Sequence, residues 1–215
     1  MPLPEIVSPE QAHAARAELR AKEEAARRAR EALNAERRRL PMVEVDTEYV
    51  FEGGDGKATL LDLFEGRPQL VVYHFMFAPE WEAGCPHCSA FLDQIGNLAH
   101  LRARATSFAA VSRAPFTKIL PFKARMGWTL PWVSSYDSTF NRDFEVTLEQ
   151  QDGELVERPG LSCFLREHDR VFHTYSTYED GLDGLGSTTS LLDLTALGRT
   201  PEGSDRVRYH DEYDY

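Results

Sequence analysis

Two cysteines, Cys85 and Cys88 in Gly84-Cys85-Pro86-His87-Cys88, are the residues of this chain best suited to chemistry. A thiolate attacks a disulfide, and a second thiol three positions on in a helix lies one turn away, close enough to resolve the mixed disulfide that results. The spacing alone also fits half of a zinc site, so the surroundings must decide. A zinc site would need two further ligands. His74, His87, His168 and His173 are the candidates, but there is no second C-x-x-C, and the H-x₄-H pair of His168 and His173 lies about 80 residues beyond Cys88, not at a recognised spacing from it. A one-cysteine peroxidase would have Pro-x-x-x-Thr/Ser-x-x-Cys, and no such Thr or Ser precedes Cys85.

The elements that must position the dithiol are legible. Leu70-Val71-Val72-Tyr73-His74-Phe75-Met76-Phe77 is apolar on both faces, as a central strand covered on both sides requires. Cys88, Phe91, Leu92, Ile95 and Ala99 recur at the spacing of one buried helix face. The dithiol therefore sits where a buried strand hands over to a helix, with Cys85 at the helix start. The free N–H groups and partial positive charge of a helix N-terminus favour thiolate over thiol. Pro86 at the first helical position costs no hydrogen bond, and a protonated His87 adds positive charge. Glu80 and Glu82, just upstream, act in the opposite sense. These residues assign Cys85 as the attacking cysteine, Cys88 as the shielded resolving one, and Pro86 and His87 as tuners of the thiolate.

Other chemistry-bearing residues admit two readings each. His74 is either a hydrogen-bonded core histidine or a proton relay to Cys88. Trp81 either lines a substrate groove or packs at the core edge. Cys163, within a strand pattern, is read as a buried small hydrophobe.

With 215 residues, 42% of them hydrophobic, the chain supports one ordinary domain with an appended arm. Three cysteines do not make a stapling framework at this size. The net charge of −11 argues against nucleic acid or an anionic membrane as partner. No apolar run is long enough to span a bilayer, and Met1–Glu5 lacks the features of a secretory leader, so a cytoplasmic location is expected. Ser8-Pro9-Glu10-Gln11 reads as a capped helix start, and no glycine or proline follows before Pro41. That predicts a helix of about 45 Å with a thin stripe of Ala12, Ala15, Leu19, Ala26, Ala29, Leu33 and Leu40. Such an arm either lies across its own domain or pairs with a partner, a homodimer included.

Thr59–Phe64 reads as a helical turn, Phe108–Ser112 as a buried strand and Pro115–Met126 as a helix closed by Gly127. Trp132–Ser134 is a short strand, and Leu161–Leu165 with Arg170–Tyr175 a hairpin. Leu182–Leu197 has room for a last helix. The resulting division is an N-terminal helical arm over 1–41, a mixed α/β domain over 42–198 and a polar tail over 199–215, expected to be poorly ordered.

Several motifs together resemble a known family. They are Met1-Pro2-Leu3-Pro4, Glu36-Arg37-Arg38-Arg39-Leu40-Pro41-Met42, Tyr73-His74-Phe75-Met76-Phe77, Val111-Ser112-Arg113-Ala114-Pro115, Gly127-Trp128, Pro131–Ser135 and Phe172–Tyr178. They are similar to the bacterial thioredoxin-like domain-of-unknown-function 899 family, described as predicted dithiol–disulfide oxidoreductases. The resemblance runs from Met1 to about Gly198. It implies an α/β fold, a thioredoxin-like mixed sheet flanked by helices, and it matches Cys85 and Cys88 to the two active-site cysteines. Pro86-His87 is similar to the dipeptide of oxidising bacterial dithiol enzymes rather than to the Gly-Pro of thioredoxin. Thioredoxin-like proteins place a cis-proline before the strand facing the dithiol. Pro159 is the candidate, offset by Gly160 and Leu161 from a strand expected to begin near Ser162.

The expected function is thiol–disulfide exchange on a protein or small-molecule disulfide, with Cys85 attacking, Cys88 resolving, and no cofactor beyond the Cys85–Cys88 disulfide and no metal. The competing expectation is a non-catalytic interaction protein docking through its N-terminal helix.

Overall fold

The computed structural model of the protein describes residues 4–199 and 207–213. Residues 1–3, 200–206 and 214–215, and with them parts of the arm and tail read from the sequence, lie outside it. The first helix, α1 (Pro9–Arg37), has Ser8 as N-cap with a reciprocal capping box to Gln11 and Pro9 in its first turn. Each satisfies or removes a backbone N–H that a helix start leaves unpaired. None of its residues is buried. Among the described residues no helix is long and apolar enough to cross a membrane.

Eight strands form one mixed sheet. In chain order they are β1 (Val43–Val45), β2 (Val50–Gly53), β3 (Gly56–Thr59), β4 (Gln69–His74), β5 (Thr106–Ser112), β6 (Trp132–Ser134) and, after a separate hairpin of β7 (Thr147–Glu149) with β8 (Leu155–Glu157), β9 (Gly160–Glu167) and β10 (Arg170–Tyr178). Across the sheet the order is β1-β10-β9-β4-β5-β6-β2-β3. β4 pairs in parallel with β5 and antiparallel with β9, so it is central and has neighbours on both edges. A central strand must also be covered on both faces, which is why its sequence is apolar throughout.

Alternation along β4 separates two cores. Tyr73, Phe75 and Phe77 point with Cys85, Cys88, Leu92, Phe122 and Trp132 into one. Leu70 and Val72 join Phe51, Phe64, Phe140, Phe144 and Phe164 in the other. The helices α2 (Pro86–Asp93) and α4 (Phe116–Arg125) supply buried side chains to the first core. Short helices α3 (Ala99–Arg102) and α5 (Phe140–Asp143) and the last, α6 (Ser187–Leu192), complete the set.

Three expectations change. The helical periodicity from Cys88 to Ala99 does not make one helix: α2 stops at Asp93, and Gly96 at φ 64° turns the chain before α3. That left-handed conformation is cheap only for glycine. The span 182–197 holds the end of a 3₁₀ helix, Glu179–Leu185, and then only six residues of α6. Finally, residues 207–213, expected to belong to a tail with little to bury, pack on the domain. The Tyr209 ring lies against the first core, and Arg125 holds Asp211 at 2.8 and 2.9 Å and Glu212 at 2.7 Å.

Candidate active site

Cys85 is the N-cap of α2 in an extended conformation, φ −61° and ψ 130°, with Pro86 opening the helix. Its own N–H donates to the Met76 carbonyl at 2.9 Å, which ties the helix start to the chain leaving β4. The backbone N–H groups of His87 and Cys88 and the Cys88 thiol all favour the Cys85 thiolate. The Cys88 thiol acts most strongly, and together with the His87 charge these groups outweigh burial and bring the Cys85 pKa down to about 6. Neither Glu80 nor Glu82 is among the groups that act most on Cys85; the Glu80 charge is felt by Glu157.

Cys88 behaves oppositely. It is 1% exposed against 9% for Cys85, and burial, followed by its interactions with Cys85, pushes its thiol well above the ordinary range. The two cysteines are 4.0 Å apart and both are free thiols. Tyr73, stacked on Phe91 at 4.5 Å and 23°, favours the Cys88 thiolate, although burial and Cys85 outweigh it. Its own hydroxyl is pushed far up by burial and then by the charges of both cysteines, so it stays a neutral donor.

A cavity of about 450 Å³ opens beside the dithiol, walled by Tyr73, Met76, Cys88, Phe91, Pro159 and Leu182, with His87, Glu179 and Asp183 among its polar groups. Its size suits a small molecule. It meets Cys88 rather than Cys85. The strand β9 begins at Gly160, so Pro159 immediately precedes it and the expected offset disappears. There is no cis peptide bond among the described residues, so Pro159 is trans.

His74 does not reach the dithiol. Alternation along β4 puts it on the opposite face, stacked with Phe144 and close to Phe140. Its Nε2 pairs with Ser162 Oγ at 2.7 Å, and Ser176 Oγ links Ser162 to His173 Nε2 at 2.7 and 2.8 Å. Its Nδ1 has no partner among the described residues. Trp81 packs at the edge of the dithiol-side core without lining the cavity, and Lys118 Nζ donates to its carbonyl at 3.0 Å. Cys163 is only half-buried, in mid-β9, lining a second cavity beside Arg37 and Met42. Of the sequence candidates, Cys85, Pro86, His87, Cys88 and Pro159 come together, while His74 and Trp81 stand apart. Tyr73 is the site residue that sequence reasoning missed. It lies within the Tyr73–Phe77 motif, but a strand apolar on both faces does not show which side chains turn toward the helix.

Burial, with a smaller contribution from the His173 charge, holds the His74 pKa down to about 3. A histidine kept neutral in the fold and titrating near 6.5 when unfolded costs nothing above that pH. It draws protons to the unfolded state as pH falls from 6.5 toward 3. Between pH 6.5 and 4.5 His74 should cost about 2 kcal/mol of stability. Urea unfolding of the native protein and His74→Gln at both pH values should show the native protein losing more by that order. Parallel losses would remove His74 from the acid sensitivity.

Comparison with known proteins bears on both the fold and the family. The family model described as "Bacterial protein of unknown function (DUF899)" matches residues 1–213, and the chain belongs to that family. No curated protein matches the chain. Among solved structures, a cysteine-to-serine mutant of Xanthomonas campestris peroxiredoxin Q is similar at 18% identity and a TM-score of 0.50. That match covers 65% of this chain and 87% of the other. Peroxidoxin BcpB from Mycobacterium tuberculosis is similar at 17% identity and 0.50, covering 66% and 86%. At this identity the likeness concerns the fold, which is thioredoxin-like: a mixed sheet flanked by helices, with the long helix α1 preceding it.

Proposed function

We propose that this protein is a thiol–disulfide oxidoreductase in which Cys85 attacks and Cys88 resolves. The observation that carries the reading is the pairing of a Cys85 thiolate, favoured by the helix N-terminus, with a protonated Cys88 thiol 4.0 Å away. In the first step the Cys85 thiolate bonds to one sulfur of a substrate disulfide, and the other sulfur leaves as thiolate. That bond removes the charge on Cys85, which is among the causes that keep Cys88 protonated. Cys88 then loses its proton more readily, attacks Cys85 and releases the second substrate thiol. The enzyme ends as the Cys85–Cys88 disulfide, two electrons poorer, and both substrate sulfurs end as thiols. The neutral Tyr73 hydroxyl supports the Cys88 thiolate as it forms.

Peroxide is the second reading, favoured by the fold shared with peroxiredoxins. The Xanthomonas campestris bacterioferritin comigratory protein, 17% identical with a TM-score of 0.50, is described as having alkyl peroxide reduction activity. Against it, Glu82 occupies the place three residues before Cys85 where the peroxidase pattern has a hydroxyl. One experiment separates the two. The reduced protein is mixed with hydroxyethyl disulfide or with hydrogen peroxide, and the Cys85–Cys88 disulfide is followed by mass. Faster oxidation by the disulfide supports thiol–disulfide exchange; faster oxidation by peroxide, dependent on Cys85, transfers the assignment to a thiol peroxidase.

A further inference from the structure

The attacking sulfur is almost covered, and part of its cover comes from the far end of the chain. Tyr209 donates its hydroxyl to the carbonyl of Gly84, the residue before Cys85, at 2.6 Å. Its ring packs on the core cluster that contains Cys85 and meets Phe122 edge-on at 5.5 Å. Polar contacts fix the rest of this segment. The Arg125 guanidinium lies 4.8 Å from the centre of the Tyr209 ring and pairs with Asp211 and Glu212, and His210 Nδ1 sits on Asp93 at 2.9 Å. Most of these groups are solvent-exposed, so the attachment is weak and sensitive to salt. The 450 Å³ cavity beside Cys88 is itself bounded by Val207 of the same segment.

We infer that residues 207–213 form a strap that limits the dithiol to small substrates and must lift from α4 before a folded protein can reach Cys85. A small disulfide reaches the exposed edge of Cys85 with the strap in place, whereas a disulfide on a protein surface meets Tyr209 first. The inference rests on Cys85 being the attacking thiol. Arg125 is the lever, because one guanidinium carries the contacts to Tyr209, Asp211 and Glu212 and lies outside the thiol machinery.

The test reads access rather than turnover, so it stands even where the oxidoreductase reading fails. Reduced protein is labelled with iodoacetamide or with a maleimide on a long polyethylene glycol chain, and modification at Cys85 is followed by peptide mass. In Arg125→Ala the bulky reagent should gain about tenfold by raising the open population, while iodoacetamide changes less than about twofold. The Asp211→Asn/Glu212→Gln double variant should do the same from the other side of the contact. Added salt should speed bulky labelling of the native protein and leave that of Arg125→Ala unchanged. Equal changes for both reagents, or no change for either, would overturn the strap. If the labelling difference appears but no Cys85–Cys88 disulfide forms with any oxidant, the strap stands and the proposed reaction falls.

Discussion

Cys85→Ser is expected to abolish disulfide reduction, and Cys88→Ser to stop the cycle half-way, with substrate held covalently on Cys85. The asymmetry follows from the geometry. Cys85 is the more exposed cysteine, stands at the helix start and is the acidic member of the pair. Cys88 is buried and protonated until the charge beside it is gone. A serine at position 88 keeps a hydrogen-bonding group near Cys85 but cannot displace its disulfide. Reaction with a disulfide whose leaving group is coloured should give one stoichiometric burst in Cys88→Ser, a mass gain of one substrate half on Cys85, and no second turnover. Cys85→Ser should show neither burst nor adduct. Adducts on Cys88 in that variant, at native speed, would reverse the two roles.

The second large effect concerns pH. Because the Cys88 thiol is the strongest of the groups that favour the Cys85 thiolate, Cys88→Ala should move the Cys85 pKa upward from about 6. The His87 charge and N–H and the backbone N–H of residue 88 remain, so the shift stops short of what the loss of every partner would give. The rate of Cys85 alkylation by iodoacetamide follows the thiolate fraction, so each unit of upward shift slows the reaction about tenfold at pH values below both pKa values. His87→Gln removes a weaker, purely charge-based contribution and should shift the profile in the same direction by less. A profile that does not move in Cys88→Ala would rule out the intercysteine hydrogen bond as the main cause of the acidity. The sign for stability is also set. A thiol whose pKa is depressed in the fold stabilises the reduced protein fully above its unfolded value, about 8.5, and loses that contribution as pH falls through 6.

The hand-over from strand to helix at the dithiol is legible in the sequence because Leu70–Phe77, Pro86 and the Cys88–Phe91–Leu92 spacing are local signals. The capping box at Ser8 and Gln11 is legible for the same reason. What escapes depends on partners distant in sequence. Tyr73 and His74 are adjacent, and only the pairing of β4 between β5 and β9 with α2 on one face decides which meets Cys88. The three-residue strands of the β7–β8 hairpin are too short to carry a period, although Asp152-Gly153, with Gly153 at φ 83°, is a turn signal. The segment around Tyr209 has the composition of a solvated tail because its anchors, Arg125, Asp93 and the Gly84 carbonyl, lie far back in the chain. Separations of 86 residues for Arg125–Asp211 and 125 for Gly84–Tyr209 are beyond any local pattern.

The proposed reaction requires that Cys85 and Cys88 interconvert between dithiol and disulfide. Its most direct test is equilibration of the purified protein in glutathione buffers of stepped potential, followed by acid quench, alkylation and mass measurement. A single two-electron transition is expected, lying above thioredoxin's potential of about −270 mV because the Cys85 thiolate stabilises the reduced form. No intramolecular disulfide at any buffer ratio, with both cysteines alkylated throughout, would contradict it.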